Sequence, residues 1–184
     1  MMRLPRHLRS RSWVLALLFV PVLGGCGVDI ELTQPDCATG GPVYQVAQSV
    51  PTAELVPCFQ PIPEGWEVDR VRVDQDGTVV WFDSDRAGNN AAVFHLADSC
   101  DTEGAIYAPS EIRGADRSDR IEQVTPSFRG QRFYEFDGGC MWWEFDFDED
   151  ATAGFSIELG ERLEAVTRES LNDRLRETFL DVDL

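Results

Sequence analysis

The sequence predicts an α+β domain, an antiparallel β-sheet of about five to seven strands with a C-terminal helical segment packed on it. Three observations carry that expectation. Runs of alternating apolar and polar residues, the period of a strand, are joined by Asp-Gly turns. After Gly154 the apolar spacing lengthens to that of a helix. The first 25 of the 184 residues read as a removable leader, and the 159 that remain suit one domain with a real hydrophobic core.

The leader comes first. Its basic region carries Arg3, Arg6, Arg9 and Arg11, and its apolar run from Trp13 to about Val22 is shorter than the ~20 residues a membrane span needs. Leu23-Gly24-Gly25-Cys26 closes it. This arrangement resembles bacterial lipoprotein precursors, in which a small residue such as Gly25 admits the peptidase and the Cys26 thiol takes a diacylglycerol. The resemblance implies cleavage before Cys26 and an extracytoplasmic protein held to the cell membrane by its lipid. Each buried methylene of the acyl chains contributes ~0.8 kcal/mol to that anchorage. Three regions follow: a signal peptide over 1–25, a lipidated N-terminus and short tether over 26–36, and a single acidic domain over 37–184.

Within the domain, Trp66, Val68, Val71 and Val73 mark a strand with one irregular step, and Asp76-Gly77 turns it into a second strand over 78–83. A loop over 84–90 leads to a strand over 91–97. The stretch 100–118 is rich in turn formers and charge, and a strand around 121–125 comes next. The clearest hairpin runs from 131 to 136, turns at Asp137-Gly138-Gly139 and returns over 140–148. On its second strand Met141, Trp143, Phe145 and Phe147 share the core face, and Cys140, Trp142, Glu144, Asp146 and Asp148 the other. Beyond Gly154, Leu159, Leu163 and Val166 predict a short helix. Thr167 reads as the N-cap of a second, with Leu171, Leu175 and Phe179 along one stripe. Residues 179–184 suggest a return as a short strand.

Cys37, Cys58, Cys100 and Cys140 are an even set in an exported chain, so two disulfides are expected. Four cysteines allow three connectivities. Pairing neighbours along the chain, Cys37 with Cys58 and Cys100 with Cys140, is the favoured one.

Composition excludes much chemistry. The leader holds four of the sixteen basic residues and no acid, leaving 12 Arg against 33 acids, a net charge of −21. That field repels nucleic acid. Lysine is absent, so a Schiff base, a Ser-Lys dyad and a phosphate-loop lysine are all ruled out. His95 is the only histidine after the leader and reads as a polar face position of a strand; with no Cys-x-x-Cys or His-x-x-x-His spacing, no metal site and no cofactor are expected. The acidic run 146–150 departs from a calcium loop, because Ala151 and Ile157 stand where Gly and Glu belong.

No catalytic residue is assigned. Trp142 with Glu144, Asp146 and Asp148 forms the candidate ligand-binding set, since an indole among carboxylates suits a sugar ring with its hydroxyls; the competing reading buries Trp142 beneath a loop or the Cys100–Cys140 bridge. Pro51-Thr52-Ala53, Val56-Pro57-Cys58, Pro63-Glu64-Gly65-Trp66 and the run 83–88 look like segments of small exported bacterial proteins, a resemblance that implies no catalytic residue. The expected function is a non-enzymatic binding or assembly module, with the membrane and an envelope protein or glycan as partners. The alternative is a glycan binder or a carboxylate-based glycan hydrolase.

Overall fold

A computed structural model describes residues 28–30, 35–37, 41–148 and 151–179. The leader, Cys26, Glu149, Asp150 and 180–184 lie outside the described residues, and with them the expectations of a lipid-modified cysteine and a C-terminal return strand.

In chain order the elements are β1 (Val28–Ile30), α1 (Gly41–Ser49), β2 (Leu55–Phe59), β3 (Trp66–Asp74), β4 (Gly77–Ser84), β5 (Gly88–Ala97), β6 (Ile106–Ala108), β7 (Asp116–Gln123), β8 (Arg129–Phe136), β9 (Gly139–Asp146), α2 (Gly154–Gly160), β10 (Leu163–Thr167) and α3 (Arg168–Phe179). The main sheet is antiparallel in the order β1-β3-β4-β5-β9-β8-β7-β6, and β10-β2 forms a separate pair. The class is the expected α+β. Eight strands result when the three-residue edges β1 and β6 are counted. β1 draws three residues of the expected tether onto β3, with Val28 opposite Val73.

The hairpins form where the sequence places them. The irregular step in β3 is a register shift between Val68 and Arg70, and Asp74 pairs with Gly77 across the first turn. At the second turn Gly138 adopts φ +74°, and a side chain there would run into the Thr52 carbonyl. Two expectations need correction. Leu163 and Val166 lie in β10, not in a helix, because Leu163 to Thr167 pair residue by residue with β2 and the preceding helix ends at Gly160. The strand expected around 121–125 lies earlier, over Asp116–Gln123, since Arg117 and Asp119 are stabilised there by ion pairs that the apolar pattern does not register.

One face of the main sheet is the core. Across it Val71, Val80, Phe94 and Trp143 stand opposite one another on successive strands, all buried. The β2–β10 layer covers them: Phe59 meets Phe82, Phe94 and Trp143 edge-on, with ring centroids 5.5, 5.1 and 5.7 Å apart. α1 packs beside this layer on β2, β3 and β4, and α3 packs on β10 through buried Leu171. Thr167 caps α3 as expected, its Oγ1 accepting the Ser170 amide at 3.2 Å. Arg168 then reaches back to donate to the Ala47, Val50 and Ala53 carbonyls at 2.7 to 2.8 Å, satisfying acceptors left at and beyond the C-terminus of α1.

Both disulfides have the expected connectivity, Cys37–Cys58 and Cys100–Cys140. The first fastens the segment at Asp36, which bridges to Phe59, onto β2. The second ties the connection between β5 and β6 to the start of β9.

Candidate functional site

On the face opposite the core, strand register lays polar and aromatic side chains in transverse rows. One row runs Arg70, Trp81, Val93, Glu144, Gln131, Arg120 from β3 to β7; the next runs Arg72, Val79, His95, Trp142, Phe133, Ser118. At their centre the His95 imidazole stacks on the Trp142 indole, centroids 4.5 Å apart and planes 2° from parallel. Trp142 Nε1 donates to Glu144 Oε1 at 3.2 Å, and His95 Nε2, which has no hydrogen-bond partner among the described residues, faces Glu144 Oε2 at 3.6 Å. The Gln131 amide donates to Glu144 Oε1 at 3.5 Å, while Arg120 donates through Nε and Nη2 to Gln131 Oε1. The Arg120 guanidinium also covers the ring of Phe133, and that of Arg70 lies 4.1 Å over Trp81.

These contacts set the electrostatics. The facing His95 holds the Glu144 carboxyl below the ordinary glutamate range; partial burial opposes this, and the Trp142 and Gln131 donors reinforce it. Glu144 is therefore ionised at neutral pH, an acceptor and not a proton donor. Its folded-state affinity for a proton is lower than its unfolded one, so its share of stability is complete above the ordinary glutamate range and is lost as pH falls through the folded value. In denaturant titrations between pH 7 and pH 3, Glu144→Gln should therefore lose less stability on acidification than the wild type does. Equal losses would show that the network does not act on this carboxyl.

The four expected ligand-binding residues do not form one cluster. Trp142 and Glu144 are joined in the network, but Asp146 turns to Arg129 at 2.9 Å and Asp148 rests its carboxylate against Gly88, which has φ +106°. Trp142 is half-buried, one indole face taken by His95 and Phe133 opposite it on β8. The sequence reading missed His95, Gln131 and Arg120 as partners of Glu144. The alternation in β5 and β8 signals their face, but cross-strand register alone brings them together.

Among the described residues one group has metal-ligand spacing, Cys37, Cys58 and Glu164, and its two sulfurs are already joined to each other. No helix among the described residues is long and apolar enough to cross a membrane. The two disulfides indicate an oxidising, extracytoplasmic setting.

No family model, curated protein or solved structure matches this chain. Its chemistry therefore has to be read from its own residues.

Proposed function

We propose that this chain is a lipid-anchored cell-envelope protein that works as a non-enzymatic binding or assembly module, with the face around Trp142 as its contact surface. The observation that carries the reading is the Arg120–Gln131–Glu144–Trp142–His95 network, which holds charged and aromatic groups rigidly on an outward face. Groups already bonded to one another lose little freedom when a partner arrives, so such a surface is preorganised for binding. The ionised state of Glu144 supports binding in preference to glycan hydrolysis, because the acid that protonates a leaving group needs a raised pKa.

Anchorage is tested at Cys26. Mass spectrometry of the wild-type protein recovered from membranes should find a diacylglyceryl group there, and Cys26→Ser should lack it. Unmodified wild type in the soluble fraction would overturn the anchor. A glycan is the alternative ligand, favoured by the alternation of donors and acceptors beside the indole. Calorimetry against wall polysaccharides decides: saturable heat abolished by Trp142→Ala would establish glycan binding, and no heat would leave a protein partner as the ligand.

A further inference from the structure

The core face of the main sheet changes character where its covering layer ends. The row that begins with Val71, Val80, Phe94 and Trp143 continues to Arg132, Asp119 and Ile106. Here the strands line a pocket of about 450 Å³ between Pro109, Ser110, Glu111, Arg117, Arg132, Ile157 and Glu161. We propose that this pocket binds a small carboxylate carrying a branched apolar group, with the Arg132 guanidinium as the anion receptor.

The argument is an accounting of hydrogen bonds. Every nitrogen of Arg117 is engaged: Nε and Nη2 donate to the two oxygens of Asp119 at 3.2 and 2.6 Å, and Nη1 to Glu111 Oε2 at 3.0 Å. Both oxygens of Glu111 are committed as well, the second accepting Tyr134 Oη–H at 2.5 Å. Burial pushes the Glu111 carboxyl up, but Tyr134, its own backbone and Arg117 outweigh that, so it stays ionised and matched by Arg117. Arg132 gives only its Nε, to Asp119 Oδ1 at 3.2 Å. Its Nη1 and Nη2 donate to no group among the described residues, although the side chain is only 12% exposed. A nearly buried guanidinium with four N–H donors to spare calls for an acceptor, and a carboxylate fits that fork with two parallel bonds.

The rest of the pocket specifies the ligand's other end. Gly160, at the close of α2, allows the fork its position: a Cβ there would come within 2.5 Å of Arg132 Nη1. Pro109 and Ile157, the latter 53% exposed, supply an apolar wall for a branched tail. Glu161 is the exposed acid at the rim, and with a chain of net charge −17 it opposes an anion, so apolar contact has to supplement the guanidinium.

Isothermal titration of the full chain with isovalerate and with N-acetylleucine tests the site, N-acetylleucinamide serving as the uncharged control. Saturable binding of either acid, and none of the amide, is expected. Tighter binding of isovalerate would identify a free acid as the natural source, and of N-acetylleucine the carboxyl end of a peptide. Arg132→Lys keeps the charge but loses the fork and should weaken binding at least about tenfold. Because Arg132 also braces Asp119, a second variant leaves that pair alone. Ile157→Asp puts a carboxylate at an exposed position of the wall and should abolish binding with an unchanged unfolding midpoint. Glu161→Gln should strengthen binding about two- to threefold by removing a repulsive charge. Absent binding of both acids, equal binding of the amide, undiminished affinity in Arg132→Lys or weakened affinity in Glu161→Gln would each overturn the proposal.

Discussion

Trp143→Ala is expected to cost about 3–5 kcal/mol of folding stability, the range for removing a large aromatic side chain from a packed core. Trp143 is fully buried and packs against four rings, edge-on with Phe59 and Phe94, tilted with Phe82 and stacked with Phe145, at centroid distances of 5.1 to 5.7 Å. It stands where the β2–β10 layer meets β4, β5 and β9, so the cavity would open between the two layers. The surrounding rings cannot collapse into it without abandoning their own contacts. Trp143→Phe is the informative companion. The indole Nε1 is buried without a hydrogen-bond partner among the described residues, so phenylalanine removes an unsatisfied donor along with the lost volume. Its cost should be well below that of alanine. Urea denaturation at neutral pH measures both. A loss in Trp143→Ala below about 1 kcal/mol would mean that the two layers are not held together through this ring cluster.

Replacing both Cys100 and Cys140 by Ser should lower stability by about 2–4 kcal/mol. The bridge closes a loop with a sequence separation of 40, which contains the short edge strand β6 and the charged stretch before β7. That stretch has few apolar anchors: Ile106 and Tyr107 are 76% and 74% exposed, and Ile112 and Ala115 are its buried apolar residues. With little burial to oppose its conformational entropy, the connection depends on the cross-link and on polar ties such as Arg120 Nη1 to the Glu103 carbonyl at 2.6 Å. Thermal unfolding of the double variant should shift downward, and reductant should lower the wild-type midpoint in the same direction. An unchanged midpoint in the double variant would show that burial alone orders the connection. Because Arg117 and Glu111 of the proposed carboxylate pocket sit in this loop, the double variant should also weaken isovalerate binding.

Much of this architecture was legible in the chain. The two hairpins were visible from Asp76-Gly77 and Asp137-Gly138-Gly139, since an antiparallel pair needs a tight turn between alternating runs. The core face of β9 followed from its period of two: Met141, Trp143 and Phe145 are buried on it, and Phe147 is buried just past its end, which comes two residues short of where the alternation placed the strand's close. Both disulfides followed from proximity along the chain. α1 and β2 were not anticipated. α1 does carry a helical signal, since Val43, Val46, Ala47 and Val50 recur at i, i+3, i+4 and i+7 and are all buried, but Gly and Pro at its start and its nine-residue length mask it; β2 carries Pro57 in an uninterrupted buried run, which has no alternation to read. The helix expected through Val166 failed for a related reason: pairing with β2 decides the conformation of Leu163 to Thr167, and local spacing does not see that partner.

What the sequence by itself determined is therefore its net charge and what depends on near neighbours: the hairpin turns, the alternation of faces, the N-cap at Thr167 and the cysteine pairs. Tertiary structure alone decided which side chains meet. Glu144 is 49 residues from His95 and 13 from Gln131, yet cross-strand register on β5, β9 and β8 makes them one network. The same register turns Asp146 to Arg129, and β9 ends before Asp148, so neither joins Trp142, although all three fall on one face of the alternating pattern. It also leaves Arg132 with an uncommitted fork at the margin of the core. A side chain's hydrogen-bond partners are set by register between strands distant in sequence, and a one-residue change in register exchanges every one of them.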